Sequence, residues 1–210
     1  MNEITVSIVE DIAEVRESIE RLINNSTDFL HVASYSNAEL AEVEIPLHAP
    51  DIVIMDINLP GKSGIECISS IKEKCPRSQF IMFTIFEDDQ KVFNALEAGA
   101  SGYLLKKTPK EKILEALKEL YEGGSPMSTQ IARKVIQVFQ KNKSMNEEAA
   151  LLTKKEKEIL DLLSKGFLYK EIAEKTLITA NTVKQHIHNI YEKLHVQNRT
   201  EAINKVYKRQ

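Results

Sequence analysis

The sequence predicts two folds in series: an α/β doubly wound (βα)5 unit, then a small all-α four-helix unit. Three observations carry this prediction. Five short, continuously apolar runs alternate with amphipathic stretches through the first 122 residues. No strand signal follows Leu151. Charge divides along the same line: residues 1–122 hold 12 Lys+Arg against 22 Asp+Glu, or −10, and residues 123–210 hold 16 against 9, or +7, which together give the net −3. An acidic half joined to a basic half suggests separate partners, and a basic half of this size fits nucleic acid.

Ile4–Val9, Phe29–Tyr35, Ile52–Met55, Phe80–Phe83 and Tyr103–Leu105 read as strands. Their unbroken apolar character suits parallel strands buried on both faces. Helical patterns follow at 13–24, 37–44, 63–74, 89–98 and 109–122. Thr108 is the expected cap of the last, with Pro109 in its first turn and Glu111 completing a capping box. Gly99 and Gly123 read as C-terminal stops. Strand–helix alternation five times over implies right-handed crossovers. Gly123-Gly124-Ser125-Pro126 breaks the chain, a helical stretch is expected at 129–141, and the polar run 141–150 is expected to be mobile. Four helices are then expected at 154–165, 170–175, 181–194 and 200–208. Thr153 with Glu156 makes a capping box, Gly166 ends the first of them, and 178–180 is the bend of a helix-turn-helix.

Composition excludes several classes. No run of eighteen apolar residues exists, so no membrane span is expected. The opening MNEITVSIVED lacks a basic stretch followed by an apolar one, so no signal peptide is expected. Cys67 and Cys75 stand eight apart on one expected helix, too far to pair, and no CxxC occurs. Structural zinc is not expected, and the cytoplasm is the expected setting.

Ligands of a doubly wound sheet sit beyond the carboxyl ends of its strands. Glu10 and Asp11 follow the first strand, Asp56 ends the third, Thr84 the fourth and Lys106 the fifth. Clustered carboxylates need a cation, and hard oxygen donors in this number suit Mg²⁺. An Asp beside that ion can attack a phosphoryl group and form an acyl phosphate. A Lys and a hydroxyl are then placed to bind phosphoryl oxygens. Each residue alone has an ordinary reading: Glu10 and Asp11 as turn residues, Asp56 as a cap, Thr84 as a strand residue, Tyr103 as a core aromatic, Lys106 as a solvated charge. Their conjunction at the ends of the right strands singles them out.

Val9-Glu10-Asp11, Met55 through Gly61, Phe83-Thr84 and Gly102 through Lys106 resemble the response-regulator receiver family in order and spacing over about residues 3–122. That resemblance implies a flavodoxin-like receiver with Asp56 as phosphoacceptor. It implies that Glu10, Asp11 and Asp56 hold Mg²⁺ with the backbone carbonyl of Asn58. It makes Thr84 the switch hydroxyl, Lys106 its phosphate-binding partner, and Tyr103 the aromatic that changes rotamer with Thr84. Three positions depart from the family pattern. Ile85 stands where a small residue is common and is followed by Phe86, bulk expected to narrow access to the site. Lys107 replaces a proline.

The stretch from Leu152 to Ala202 resembles the LuxR-type helix-turn-helix of the NarL/FixJ group, through Leu152-Thr153, Lys170 to Ala173, Asn181 to Lys184, Lys193-Leu194 and Asn198 to Thr200. Val183, Ile187, Ile190 and Leu194 fall on one apolar face of the expected recognition helix, with Lys184, Gln185 and His188 on another. The resemblance puts Lys184, Gln185 and His188 in base-facing positions and makes Thr153, Lys170, Asn181 and Thr182 plausible phosphate contacts. A solvated helix face is the ordinary alternative for these residues. His186 reads as half-buried packing. His195 replaces a common glycine, so the helix end there is expected to be shaped differently. Ala202, Ile203 and Val206 face either a dimer partner or their own domain.

The domains expected are a receiver at 1–122, a linker with a helical stretch at 123–149 and a DNA-binding domain at 150–210. The expected function is a non-enzymatic transcription factor: a histidine kinase phosphorylates Asp56, and a homodimer formed on phosphorylation or DNA binding engages double-stranded DNA, with no membrane partner. The rivals are a regulator controlled by another partner at the receiver, independent of phosphorylation, and a haloacid-dehalogenase-like phosphatase. The second requires an Asp two residues after the nucleophile, where this chain has Asn58.

Overall fold

A computed structural model describes residues 3–207, apart from the side chains of 141–150. The chain divides into two compact units, Met1–Val138 and Phe139–Gln210. The first alternates β1 (Ile4–Val9), α1 (Ala13–Asn24), β2 (Phe29–Tyr35), α2 (Ala38–His48), β3 (Ile52–Met55), α3 (Gly64–Lys72), β4 (Gln79–Thr84), α4 (Asp89–Glu97), β5 (Gly102–Leu105) and α5 (Lys110–Tyr121). The strands are all parallel in the order β2-β1-β3-β4-β5.

Strand periodicity explains how helices cover both faces. Alternate side chains point to opposite sides. Val9, Val53, Met55, Phe80, Met82, Tyr103 and Leu105 join a core with buried residues of α2, α3 and α4. Ile8, Ile52, Ile54, Ile81, Phe83 and Leu104 join a second core with Ile19 and Ile23 of α1 and Ile113, Leu117 and Leu120 of α5.

Several local expectations are corrected. The expected Thr108 cap does not form: the N-cap of α5 is Pro109, with no side-chain cap bond, because Thr108 stays in the turn whose N–H returns to the Leu105 carbonyl. The helix expected to stop at Glu44 continues through Pro46 to His48. Fully buried Ile45 holds that extra turn in the core, and proline costs it a single N–H donor.

After α5 comes α6 (Thr129–Ala150), whose backbone runs beyond the expected 141. The mobility expected of 141–150 falls on side chains outside those described. The second unit holds α7 (Lys154–Ser164), α8 (Tyr169–Thr176), α9 (Ala180–Lys193) and α10 (Arg199–Tyr207) around one apolar core. The capping box of Thr153 and Glu156 is formed. Both cysteines are free and buried, and burial pushes the Cys67 thiol up to about 12. Among the described residues no helix is long and apolar enough to cross a membrane.

Candidate functional site

The sheet register brings the chemistry together. Val9 pairs with Met55, Met55 with Met82 and Thr84 with Leu105, so the residues at and just beyond these pairs share one edge. Asp56 donates its N–H to the Val9 carbonyl at 2.9 Å, and Lys106 donates its N–H to the Thr84 carbonyl at 2.9 Å. Lys106 Nζ reaches Asp56 Oδ2 at 2.8 Å and the two Glu10 oxygens at 2.8 and 2.6 Å. Asp56 Oδ1 accepts from the Ile57 N–H at 2.7 Å. Glu10 and Asp56 are buried, whereas Asp11 is exposed.

Burial raises the Glu10 carboxyl above its ordinary range; the Asp56 charge adds to this, while Lys106 opposes it. Burial disfavours the Lys106 ammonium, but its bonds to Asp56 and Glu10 prevail and raise it. One carboxylate oxygen from each of Glu10, Asp11 and Asp56 lies within 4.8 Å of the others. That spacing of hard oxygen donors fits a divalent cation such as Mg²⁺. Asn58 is exposed at the same edge. Thr84 Oγ1 is fully buried and has no hydrogen-bond partner among the described residues. A buried hydroxyl left without a partner carries a desolvation cost that a ligand oxygen would remove.

Tyr103 is fully buried, and its hydroxyl donates to the Phe86 carbonyl at 3.0 Å. Ile85, expected to crowd the site, is 71% exposed; Phe86 is half-buried beneath the Lys91 ammonium, 3.0 Å from its ring centroid. No cis peptide occurs among the described residues, including at Lys107.

In the helical unit, Val183, Ile187, Ile190 and Leu194 are buried, as their spacing predicts. Thr153, Lys170, Asn181, Thr182, Lys184, Gln185 and His188 are all exposed. The bend lies slightly earlier than expected: Leu177 takes a left-handed conformation, and Thr179 caps α9 by accepting from the Thr182 N–H. Gln185 donates to Asn189 at 3.2 Å, and His188 stands 3.4 Å from Glu192. His186 is half-buried. His195 does not reshape the helix end. It takes a left-handed φ of 50°, and the Val196 N–H closes the turn onto the Tyr191 carbonyl, as a glycine there would permit. Ala202 is buried, and Ile203 and Val206 pack against their own domain's core.

The model of the response regulator receiver domain matches residues 6–118, and that of the bacterial regulatory proteins of the luxR family matches residues 150–206. The chain belongs to the response regulators. Its two domains place it in the NarL/FixJ group. The oxygen regulatory protein NreC of Staphylococcus haemolyticus is 32% identical over 204 residues, 94% of each chain. The response regulator ChrA of a heme-sensing two-component system is 28% identical with a TM-score of 0.56, over 98% of this chain and 96% of that one. A LuxR-family response regulator from Aurantimonas sp. SI85-9A1 is 31% identical with a TM-score of 0.61, over 65% of this chain and 97% of that one.

Two residues of this response regulator's site escape a reading by motif. Arg16 of α1 grips the β1–α1 loop by its main chain, its Nη1 donating to the Glu10 and Asp11 carbonyls at 2.7 and 3.2 Å. Gly64 opens α3 so close to the Asp56 carbonyl that a Cβ would stand 1.8 Å from it. The signal for α3 was present in the sequence: Ser63 and Glu66 have capping-box spacing, and the box forms.

Proposed function

We propose that Asp56 is the phosphoacceptor of this response regulator and that its phosphorylation by a histidine kinase controls binding of the helical domain to double-stranded DNA. The observation that carries this reading is the single ammonium of Lys106 bridging buried Asp56 and Glu10 at the sheet edge. Glu10, Asp11, Asp56 and the Asn58 carbonyl would hold Mg²⁺, which neutralises the carboxylates and the incoming phosphoryl oxygens. An Asp56 oxygen bonds to phosphorus as the N–P bond of the kinase phosphohistidine breaks, and the electron pair leaves on the imidazole nitrogen. Lys106 then pairs with a phosphoryl oxygen, and Thr84 Oγ1 donates to another. Tyr103 packs behind Thr84 and follows its position.

The domains in this reading are a receiver at 1–122, a linker at 123–149 and a DNA-binding domain at 150–210, acting in the cytoplasm. Lys184, Gln185 and His188 read base edges in the major groove, while Thr153, Lys170, Asn181 and Thr182 hold phosphates. Two copies, paired on phosphorylation or on DNA, bind half-sites about one helical turn apart or a multiple of it.

The test is Mg²⁺-dependent labelling by acetyl phosphate of the wild type and Asp56→Asn, read alongside oligomeric mass and DNA affinity. Labelling confined to the wild type, with tighter DNA binding, is expected. Equal labelling of Asp56→Asn, or DNA affinity indifferent to phosphorylation, refutes the reading.

A further inference from the structure

α2 carries an apolar stripe that its own domain does not use. Ala38, Ala41 and Ile45 turn into the core. Leu40, Val43 and Leu47 stand at i, i+3 and i+7 on the outward face and are 51, 63 and 74% exposed. A surface helix with one face on the core ordinarily carries polar groups on the other. Helix propensity does not account for the departure, because a β-branched residue such as Val43 is a poorer helix former than Ala, Lys or Glu. Neighbouring apolar side chains left in water along one stripe mark an interaction surface.

The flanks of the stripe narrow what can cover it. Glu39 stands one turn before Val43 on one side, and Glu44 one turn after Leu40 on the other. Glu39 accepts only a main-chain bond, from the Lys62 N–H at 3.3 Å, while the Lys62 ammonium is taken up by Glu42 and Ser70. Neither Glu39 nor Glu44 has an ion-pair partner among the described residues. The stripe therefore lies between two carboxylates without a cation of their own. A second copy that laid α2 against α2 would bring the glutamates of both copies to one rim, where like charges repel. An anionic lipid surface is repelled in the same way.

We propose that the outward face of α2 is a docking surface for a basic amphipathic helix of a partner protein. The partner's apolar stripe packs on Leu40, Val43 and Leu47, and Lys or Arg on both sides of it meets Glu39 and Glu44. Helices packed ridge into groove lie about 8–10 Å apart, close enough for such flanking cations to reach the carboxylates. The apolar contact supplies affinity, and the charged rim selects the partner. None of these residues belongs to the site at Asp56, and the proposal does not rest on the reading of that site.

The test uses the full chain and two stapled helical peptides with the same leucine stripe, one flanked by lysines and one by glutamates, with binding read by fluorescence anisotropy. The wild type binds the lysine peptide and not the glutamate peptide. Val43→Ser and Leu47→Ser, at exposed positions that the fold does not need, each weaken the lysine peptide about tenfold or more, the loss expected when a buried aliphatic anchor is removed. Glu39→Lys/Glu44→Lys reverses the preference between the peptides, whereas Glu111→Lys/Glu115→Lys, the same change of charge on α5, does not. No binding of the lysine peptide by the wild type, undiminished binding by both serine variants, or a preference that follows charge equally on α2 and α5 overturns the proposal. So does self-association of the wild type that Val43→Ser abolishes, which makes the occupant a second copy. Binding to phosphatidylglycerol vesicles that the same variant abolishes makes it a membrane and overturns the proposal too.

Discussion

Gly64→Ala tests how closely the phosphoacceptor loop is packed. A Cβ at this position would lie 1.8 Å from the Asp56 carbonyl oxygen and 2.9 Å from Met55 Cγ. Real Cβ atoms essentially never come closer than 3.0 Å, so α3 and the end of β3 must separate by about 1.2 Å. The obstacle is main chain and cannot rotate away. Overpacking of this kind costs about 3 kcal/mol, the upper part of its usual range, which for a unit of this size lowers Tm by roughly 10 °C. The peptide that moves carries Asp56, and misplacement of a reacting group by about 1 Å costs on the order of 100-fold in rate. Calorimetry gives the first quantity, and acetyl phosphate labelling, normalised to folded protein, gives the second. Gly61→Ala is the internal control: its Cβ meets the flexible end of Glu39, so only the strain of its φ of +77° is added. A Gly64→Ala chain that melts within about 2 °C of wild type and labels at the same rate would show that the loop is not packed as described.

Three further outcomes follow from the same geometry. Lys106→Met leaves Glu10 and Asp56 buried without their cation and destabilises the receiver by about 3–5 kcal/mol; added Mg²⁺ should raise its melting temperature more than it raises that of wild type. In the helical unit, the bonds from Lys193 and Thr153 overcome burial and hold the Glu156 carboxyl below its ordinary 4.5. Its contribution is therefore present above that value and is lost as pH falls through the lowered one; urea unfolding should show acid weakening in wild type that is flattened in Glu156→Gln. Leu177 and His195 sit at φ of 55° and 50°, and replacing either with glycine removes about 1 kcal/mol of left-handed strain, less the entropy that glycine adds to the unfolded chain. A fall in thermal stability in both variants would show that the strain is not there.

The five strands and ten helices of the described residues and the order of the acidic residues along the chain were legible because each rests on a local signal: apolar runs for strands, 3.6-residue periodicity for helices, and carboxylates at strand ends. Val183, Ile187, Ile190 and Leu194 illustrate this, since their spacing alone placed them in the core. Signals that competed over a few residues were read less well. Thr108-Pro109-Lys110-Glu111 has the spacing of a capping box, yet the turn after β5 claims Thr108 and leaves Pro109 at the cap. His195 looked incompatible with a glycine turn, yet the packing of Leu194 and the bond from Val196 impose that turn on it.

By itself, the sequence determined the kind and order of the elements and which chemical groups stand at the strand ends, because apolar runs and periodicity act within a few positions; it did not determine several helix bounds or the cap of α5. Only the tertiary structure decided that one ammonium bridges Glu10 and Asp56 and that α3 leaves no room for a side chain at Gly64. Those contacts join residues up to 96 positions apart. They depend on strand register and on how closely backbones approach, which no local pattern encodes.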